Sequence, residues 1–180
     1  MLTNSNEYGI IIIEREINKK REVITMMNRT LVFDMDGTIA NLYGVENWLE
    51  DLRAYNPRPY RVAEPMYDME VLNAILLALK GQGWKIVVTS WLSKESTKAY
   101  DDEVKRAKLE WLAKHHFPFD EIHLVGYGTP KSTCTEHLGG VQFLFDDNAE
   151  VRREWESKPN RFSVDATNNI MEKLFELLID

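Results

Sequence analysis

Asp34 and Asp36 stand one residue apart in "TLVFDMDGTIANLY" (residues 30–43), directly after the apolar run Leu31-Val32-Phe33. Carboxylates this close repel, and each is costly at the end of a buried strand unless something cationic joins them. The same juxtaposition suits chemistry, with one carboxylate as nucleophile and its neighbour as proton donor and acceptor. Matching groups recur along the chain. "WKIVVTSW" ends in Thr89 and Ser90, "GYGTPKS" supplies Lys131, and "VQFLFDDN" ends in Asp146 and Asp147. Four carboxylates, two hydroxyls and an ammonium are a hard set suited to Mg²⁺ and a phosphoryl group. In such a set Asp34 attacks phosphorus, and Asp36 protonates the leaving oxygen and later activates water. Thr89, Ser90 and Lys131 hold the remaining oxygens. Asp34, Asp36, Asp146 and Asp147 are the candidate metal residues, and a cation among them offsets the repulsion.

The elements carrying these residues alternate in type. Leu31–Phe33, Trp84–Thr89, Glu121–Val125, Val141–Phe145 and Arg161–Val164 are short, apolar and rich in Val, Ile and Phe. They read as strands covered on both faces. Between them lie helical stripes: Leu72, Ile75, Leu76 and Leu79, closed by Gly81; Tyr100, Val104, Ala107 and Trp111 on an otherwise charged helix; and Ile170, Met171, Leu174, Phe175 and Leu178 after a capping Asn168. This alternation predicts an α/β fold, a Rossmann-like doubly wound parallel sheet. Ligands of such sheets bind beyond the carboxyl ends of the strands, where every candidate residue falls. After a helix expected around Val45–Ala54, the three prolines of "NPRPYRVAEP" (56–65) predict an extended stretch without regular helix. Residues 41–65 are therefore a small flap or cap over the site.

With 44% hydrophobic and 28% charged residues, the 180-residue chain has an ordinary globular composition and the length of one domain. A net charge of -7 argues against general binding to duplex nucleic acid or anionic membrane. Cys134 is the only cysteine, which fits a reducing, cytoplasmic setting, and no apolar run reaches membrane-spanning length. Residues 1–26 differ in character and read as an extension, disordered or dispensable, ahead of a domain at 27–180. Arg21-Glu22-Val23 can be encoded by a purine-rich run resembling a ribosome-binding site before Met26 or Met27, so a chain begun at Met27 is expected to fold.

From Thr30 onwards the chain resembles the haloacid-dehalogenase-like (HAD) superfamily of phosphohydrolases. "DMDGT" is similar to the first motif of that family, "VVTS" to the second, Lys131 to the third and Asp146-Asp147 to the fourth, all in order. The resemblance implies a HAD-like core with a flap, an aspartyl-phosphate on Asp34 and a Mg²⁺ requirement. It makes Asp36 the acid/base, its backbone carbonyl also meeting the metal. It also sets Thr89 ahead of Ser90 in the second motif. Asp at position 36, where ion pumps of the family carry Thr, favours hydrolysis.

Simpler roles exist for the same residues. Asp34 and Asp36 suit a turn, Asp146-Asp147 a helix N-cap, Thr89 a plain strand position and Lys131 a solvated loop. "GYGTPKS" is not a phosphate-binding P-loop, because Pro130 occupies the required glycine position. Cys134 and the four histidines lack catalytic or metal-ligand spacing. Trp91, Tyr43 and Trp48 suit either stacking on a nucleobase or covering the sheet edge. The nearest likeness is to small 5′(3′)-nucleotidases, which implies a small phosphorylated, nucleotide-type substrate. A second likeness is to polynucleotide 3′-phosphatases. A non-catalytic binding module and a receiver-type regulator phosphorylated on aspartate are the rivals from other classes.

Overall fold

The computed structural model describes residues 28–179; the expectations for residues 1–26 lie outside the described residues. The chain runs β1 (Arg29–Phe33), β2 (Ala40–Asn41), α1 (Trp48–Arg53), α2 (Arg58–Val62), β3 (Glu64–Pro65), α3 (Met69–Gly81) and β4 (Trp84–Trp91). It continues through α4 (Lys98–Lys114), β5 (Glu121–Val125), α5 (Lys131–Cys134), β6 (Val141–Asp146), α6 (Ala149–Glu156), β7 (Arg161–Asp165) and α7 (Met171–Ile179). Five strands form one parallel sheet in the order β5-β4-β1-β6-β7. The first three strands build outward from β1 in one direction and the last two in the other, so strand order reverses beside β1. The fold is an α/β, Rossmann-like sheet flanked by helices.

The continuous apolar character of β1 follows from its central place. Leu31 and Phe33 face a core that includes Leu72, Leu76 and Leu79 of α3 and Leu174 of α7. Val32 faces the opposite layer with Val151 and Trp155 of α6. Leu31, Val32 and Phe33 are fully buried, so both faces of the strand pack against apolar layers. Phe33 and Phe145 lie in register on adjacent strands with rings stacked 4.7 Å apart, which fixes the next residue of each strand at the same height. Those next residues are Asp34 and Asp146.

Local details depart from the sequence reading. The Asn56–Pro65 stretch is not free of helix: α2 lies within it, with Pro57 as N-cap and Pro59 in the first turn. Proline is tolerated there because the first helical N–H groups need no intrahelical partner. β2 and β3 pair antiparallel as a separate two-stranded sheet, which ties both ends of the 41–65 segment together. The Val45–Ala54 helix is shorter, Trp48–Arg53, preceded by a 3-10 turn at Leu42–Gly44. Helix α3 includes Gly81 and caps at Gln82, and the left-handed residue that ends it is Gly83 at φ +91°. At the last helix the carboxamide oxygen of Asn169, not Asn168, accepts the Met171 N–H at 3.0 Å. No helix among the described residues is long and apolar enough to cross a membrane.

Candidate active site

Beyond β1 the backbone turns tightly. The N–H groups of Thr38, Ile39 and Ala40 all donate to the carbonyl of Met35, and that of Gly37 donates to Ala40. The turn needs glycine at 37 for two reasons. Its φ is +79°, and a Cβ there would lie 2.5 Å from Asp147 Oδ2 and 2.6 Å from Tyr43 Cε2. Asp147 from the end of β6 thus packs directly on the turn after β1. Asp34 is fixed from the same side, its N–H donating to Phe145 O at 3.0 Å.

Lys131 answers the repulsion among these acids. Its Nζ donates to Asp34 Oδ1 at 2.6 Å and to Asp146 Oδ2 at 2.7 Å, with the ammonium almost fully buried. Burial pulls the Lys131 pKa down, but the two carboxylates outweigh it and hold the ammonium above its ordinary range. The loop delivering Lys131 is pinned by Trp91, whose indole N–H donates to Thr129 O at 2.7 Å and whose ring lies 5.4 Å from Lys131 Nζ. Asp146 is held further by the Asn148 N–H on its Oδ1 at 2.9 Å. Asn148, rather than either aspartate, caps α6.

One ammonium does not balance three carboxylates. Asp34, Asp146 and Asp147 each place an oxygen within 4.8 Å of the others. Burial, opposed by Lys131 and reinforced by Asp34, pushes Asp146 up to about 6. Burial together with Asp34 and Asp146 pushes Asp147 up to about 7. Hard oxygen donors on a rigid frame, with excess negative charge, fit a Mg²⁺ ion.

Asp36 does not join that group through its side chain. Its Oδ2 accepts from Lys108 Nζ at 2.5 Å, and Lys108 also donates to Ser90 Oγ at 2.8 Å. The paired aspartates are thus divided between two lysines, Asp34 to Lys131 and Asp36 to Lys108. Burial raises the Asp36 pKa, against the pull of Lys108. Thr89 and Ser90 are fully buried at the end of β4 and do not line the cleft. Thr89 Oγ1 has no hydrogen-bond partner among the described residues. Lys108 was not legible as a site residue, because a lysine on a charged helix reads as solvated. The available signal was its spacing, four residues after Val104 and three before Trp111 on the buried stripe.

A cleft of about 520 Å³ opens over Asp34, Asp36, Lys131, Asp146 and Asp147. Tyr43 and Trp48, in edge contact at 5.1 Å, line it from the 41–65 segment, and Trp91 and Tyr127, 4.9 Å apart, from the core. Lys94 and Arg53 also line it. His123 and His137 lie elsewhere, both directing Nε2 at Glu121 Oε1, at 2.7 and 2.8 Å.

No family model and no curated protein sequence matches the chain. The fold is similar to chains in two solved structures, the Pnkp1/Rnl/Hen1 complex and the Pnkp1/Rnl/Hen1 RNA repair complex, each with a TM-score of 0.51. Identities are 20% and 19%, over 78% and 77% of this chain. The chain spans less than half of those relatives, 46% and 42% of their lengths. A D,D-heptose 1,7-bisphosphate phosphatase from Burkholderia thailandensis matches more distantly, with a TM-score of 0.36, 12% identity, and coverage of 85% of this chain and 100% of its own. At 20% and 19% identity the likeness to the two complexes is one of fold.

Proposed function

We propose that the protein is a Mg²⁺-dependent phosphomonoester hydrolase of the HAD type, acting on a nucleotide-type substrate. The observation that carries this reading is the meeting of Asp34, Lys131, Asp146 and Asp147 at the strand ends, with Asp36 two residues from Asp34 on the same cleft. The Asp34 carboxylate attacks phosphorus and the bond from phosphorus to the leaving oxygen breaks. Asp36 gives that oxygen its proton. Water then attacks the phosphorus of the aspartyl-phosphate, Asp36 takes the water's proton, and phosphate leaves as Asp34 is restored. Lys131 stands where it meets the negative charge of the transferring group. Asp34, Asp146 and Asp147 would hold Mg²⁺, which when bound supplies charge neutralisation for the phosphoryl oxygens. The aromatic groups on both walls support a flat nucleobase between the 41–65 segment and the core, with Lys94 and Arg53 near additional phosphate.

The test is phosphate release from p-nitrophenyl phosphate, from 5′- and 3′-mononucleotides and from a 3′-phosphorylated oligonucleotide, with Mg²⁺ and with EDTA. Release that requires Mg²⁺ and is fastest with mononucleotides is expected. Preference for the oligonucleotide would transfer the assignment to polynucleotide ends, and absence of release from every ester would overturn the phosphatase reading.

A further inference from the structure

Lys108 is a fully buried cation that the reaction scheme above leaves unused. It sits in the third turn of α4, on the stripe of Tyr100, Val104, Ala107 and Trp111 that packs that helix inward. A methionine would fill similar space without the desolvation cost of an ammonium, so packing alone does not account for a charge here. Its surroundings do. Nζ donates to Asp36 Oδ2 at 2.5 Å and to Ser90 Oγ at 2.8 Å, and it lies 4.9 Å from the centre of the Tyr60 ring. Tyr60 is itself buried and belongs to α2, so the 41–65 segment covers the ammonium from above. Lys108 does not line the cleft itself; its charge meets the cleft through Asp36, whose side chain keeps 17% of its surface exposed, beside the ring of Tyr60. With Oδ2 occupied, Oδ1 is the oxygen of Asp36 that remains for a substrate.

We propose that Lys108 is a positioning residue that locks the Asp36 carboxylate in the orientation from which Oδ1 serves the leaving-group oxygen, with Ser90 anchoring the ammonium and Tyr60 closing it off from water. Ser90 then acts on the acid/base through Lys108 rather than on the phosphoryl group. Lys108 touches no reacting atom, so its effect is felt only where Asp36 is needed. The inference rests on the phosphatase reading and refines one of its parts.

The leaving group separates this role from a merely structural one. An alkyl oxygen needs a proton to depart, whereas p-nitrophenolate leaves unprotonated, so a misplaced acid penalises the first and spares the second. Single-turnover cleavage of a 5′-mononucleotide and of p-nitrophenyl phosphate would be compared, with Mg²⁺, in wild type, Lys108→Met and Lys108→Gln, each checked by thermal melting. Lys108→Met is expected to slow cleavage of the nucleotide about 100-fold and of the aryl ester less than about 3-fold. Lys108→Gln, which keeps an N–H donor on a side chain one bond shorter, is expected to recover part of that loss, about 10-fold at most, on the nucleotide. Equal slowing of both esters, or no slowing of either, overturns the proposal while leaving the phosphatase reading intact. A wild-type chain inactive on both esters overturns the two together. If Lys108→Met does not fold, Lys108→Gln decides alone: selective slowing of the nucleotide supports the proposal, and a wild-type ratio of the two rates overturns it.

Discussion

At the scale of single residues the site is a matter of which charge meets which. Asp34→Asn removes the nucleophile while keeping its shape and its Lys131 contact. We expect phosphate release to fall by at least about 1,000-fold, with a melting temperature close to wild type. Near-normal turnover in that variant would mean that Asp34 is not the attacking group. Lys131→Met should behave differently, because it leaves Asp34 and Asp146 buried without their partner. A loss of about 3–5 kcal/mol by denaturant titration is expected in the absence of metal. Gly37→Ala tests the turn. Its Cβ would collide with Asp147 Oδ2 in a left-handed backbone, so Asp147 must move. Calorimetric titration should show weakened Mg²⁺ binding, with stability reduced by about 1–3 kcal/mol. Unchanged Mg²⁺ affinity would detach Asp147 from the metal.

At the scale of elements, each functional side chain rides on a segment held by forces unrelated to chemistry. Helix α4 begins at Thr97, whose hydroxyl accepts the Tyr100 N–H at 3.2 Å. Thr97→Ala should therefore cost about 1 kcal/mol in unfolding free energy and leave turnover untouched. A large fall in activity would show that α4 positions Lys108 less rigidly than its packing implies. The end of β6 is held by Arg152 of α6, which donates to the Asp146 carbonyl at 2.9 Å and to Asp165 at 2.8 Å. That clamp ties β6 to β7 just below the acidic cluster of Asp34, Asp146 and Asp147. Sequence periodicity reveals such elements because burial on two faces demands apolar runs, as in Leu31-Val32-Phe33. It misses α2, because a helix of five residues with proline at its start shows no period.

At the scale of the whole molecule, the site concentrates acid. Asp147 at about 7 and Asp146 at about 6 lie above the ordinary value of 3.8. Between about pH 4 and 7 the metal-free fold therefore holds more protons on these groups than the unfolded chain does. Their contribution to stability is lost as pH rises through that window. Mg²⁺ held by the ionised carboxylates, as proposed, should reverse the loss. Thermal melts at pH 5.5 and pH 8 should show a larger Mg²⁺-induced rise at pH 8, and an equal rise at both would separate metal binding from these titrations.

The strands and the groups that follow them were legible in the sequence. Short apolar runs alternating with helical stripes read as buried strands, and Asp34 and Asp36, Lys131 after its loop, and Asp146 and Asp147 follow three of them on the cleft, whereas Thr89 and Ser90 lie buried within β4. What the sequence could not state was the pairing among them. These ion pairs join residues far apart along the chain, 97 positions for Lys131 and Asp34 and 72 for Lys108 and Asp36. No local pattern encodes such distances. Packing of α4 against the sheet and α2 brings Lys108 to Asp36, and the reversal of strand order beside β1 brings Asp146 and Lys131 to Asp34. The chemistry was therefore local, and its division between two buried lysines was decided only by tertiary structure.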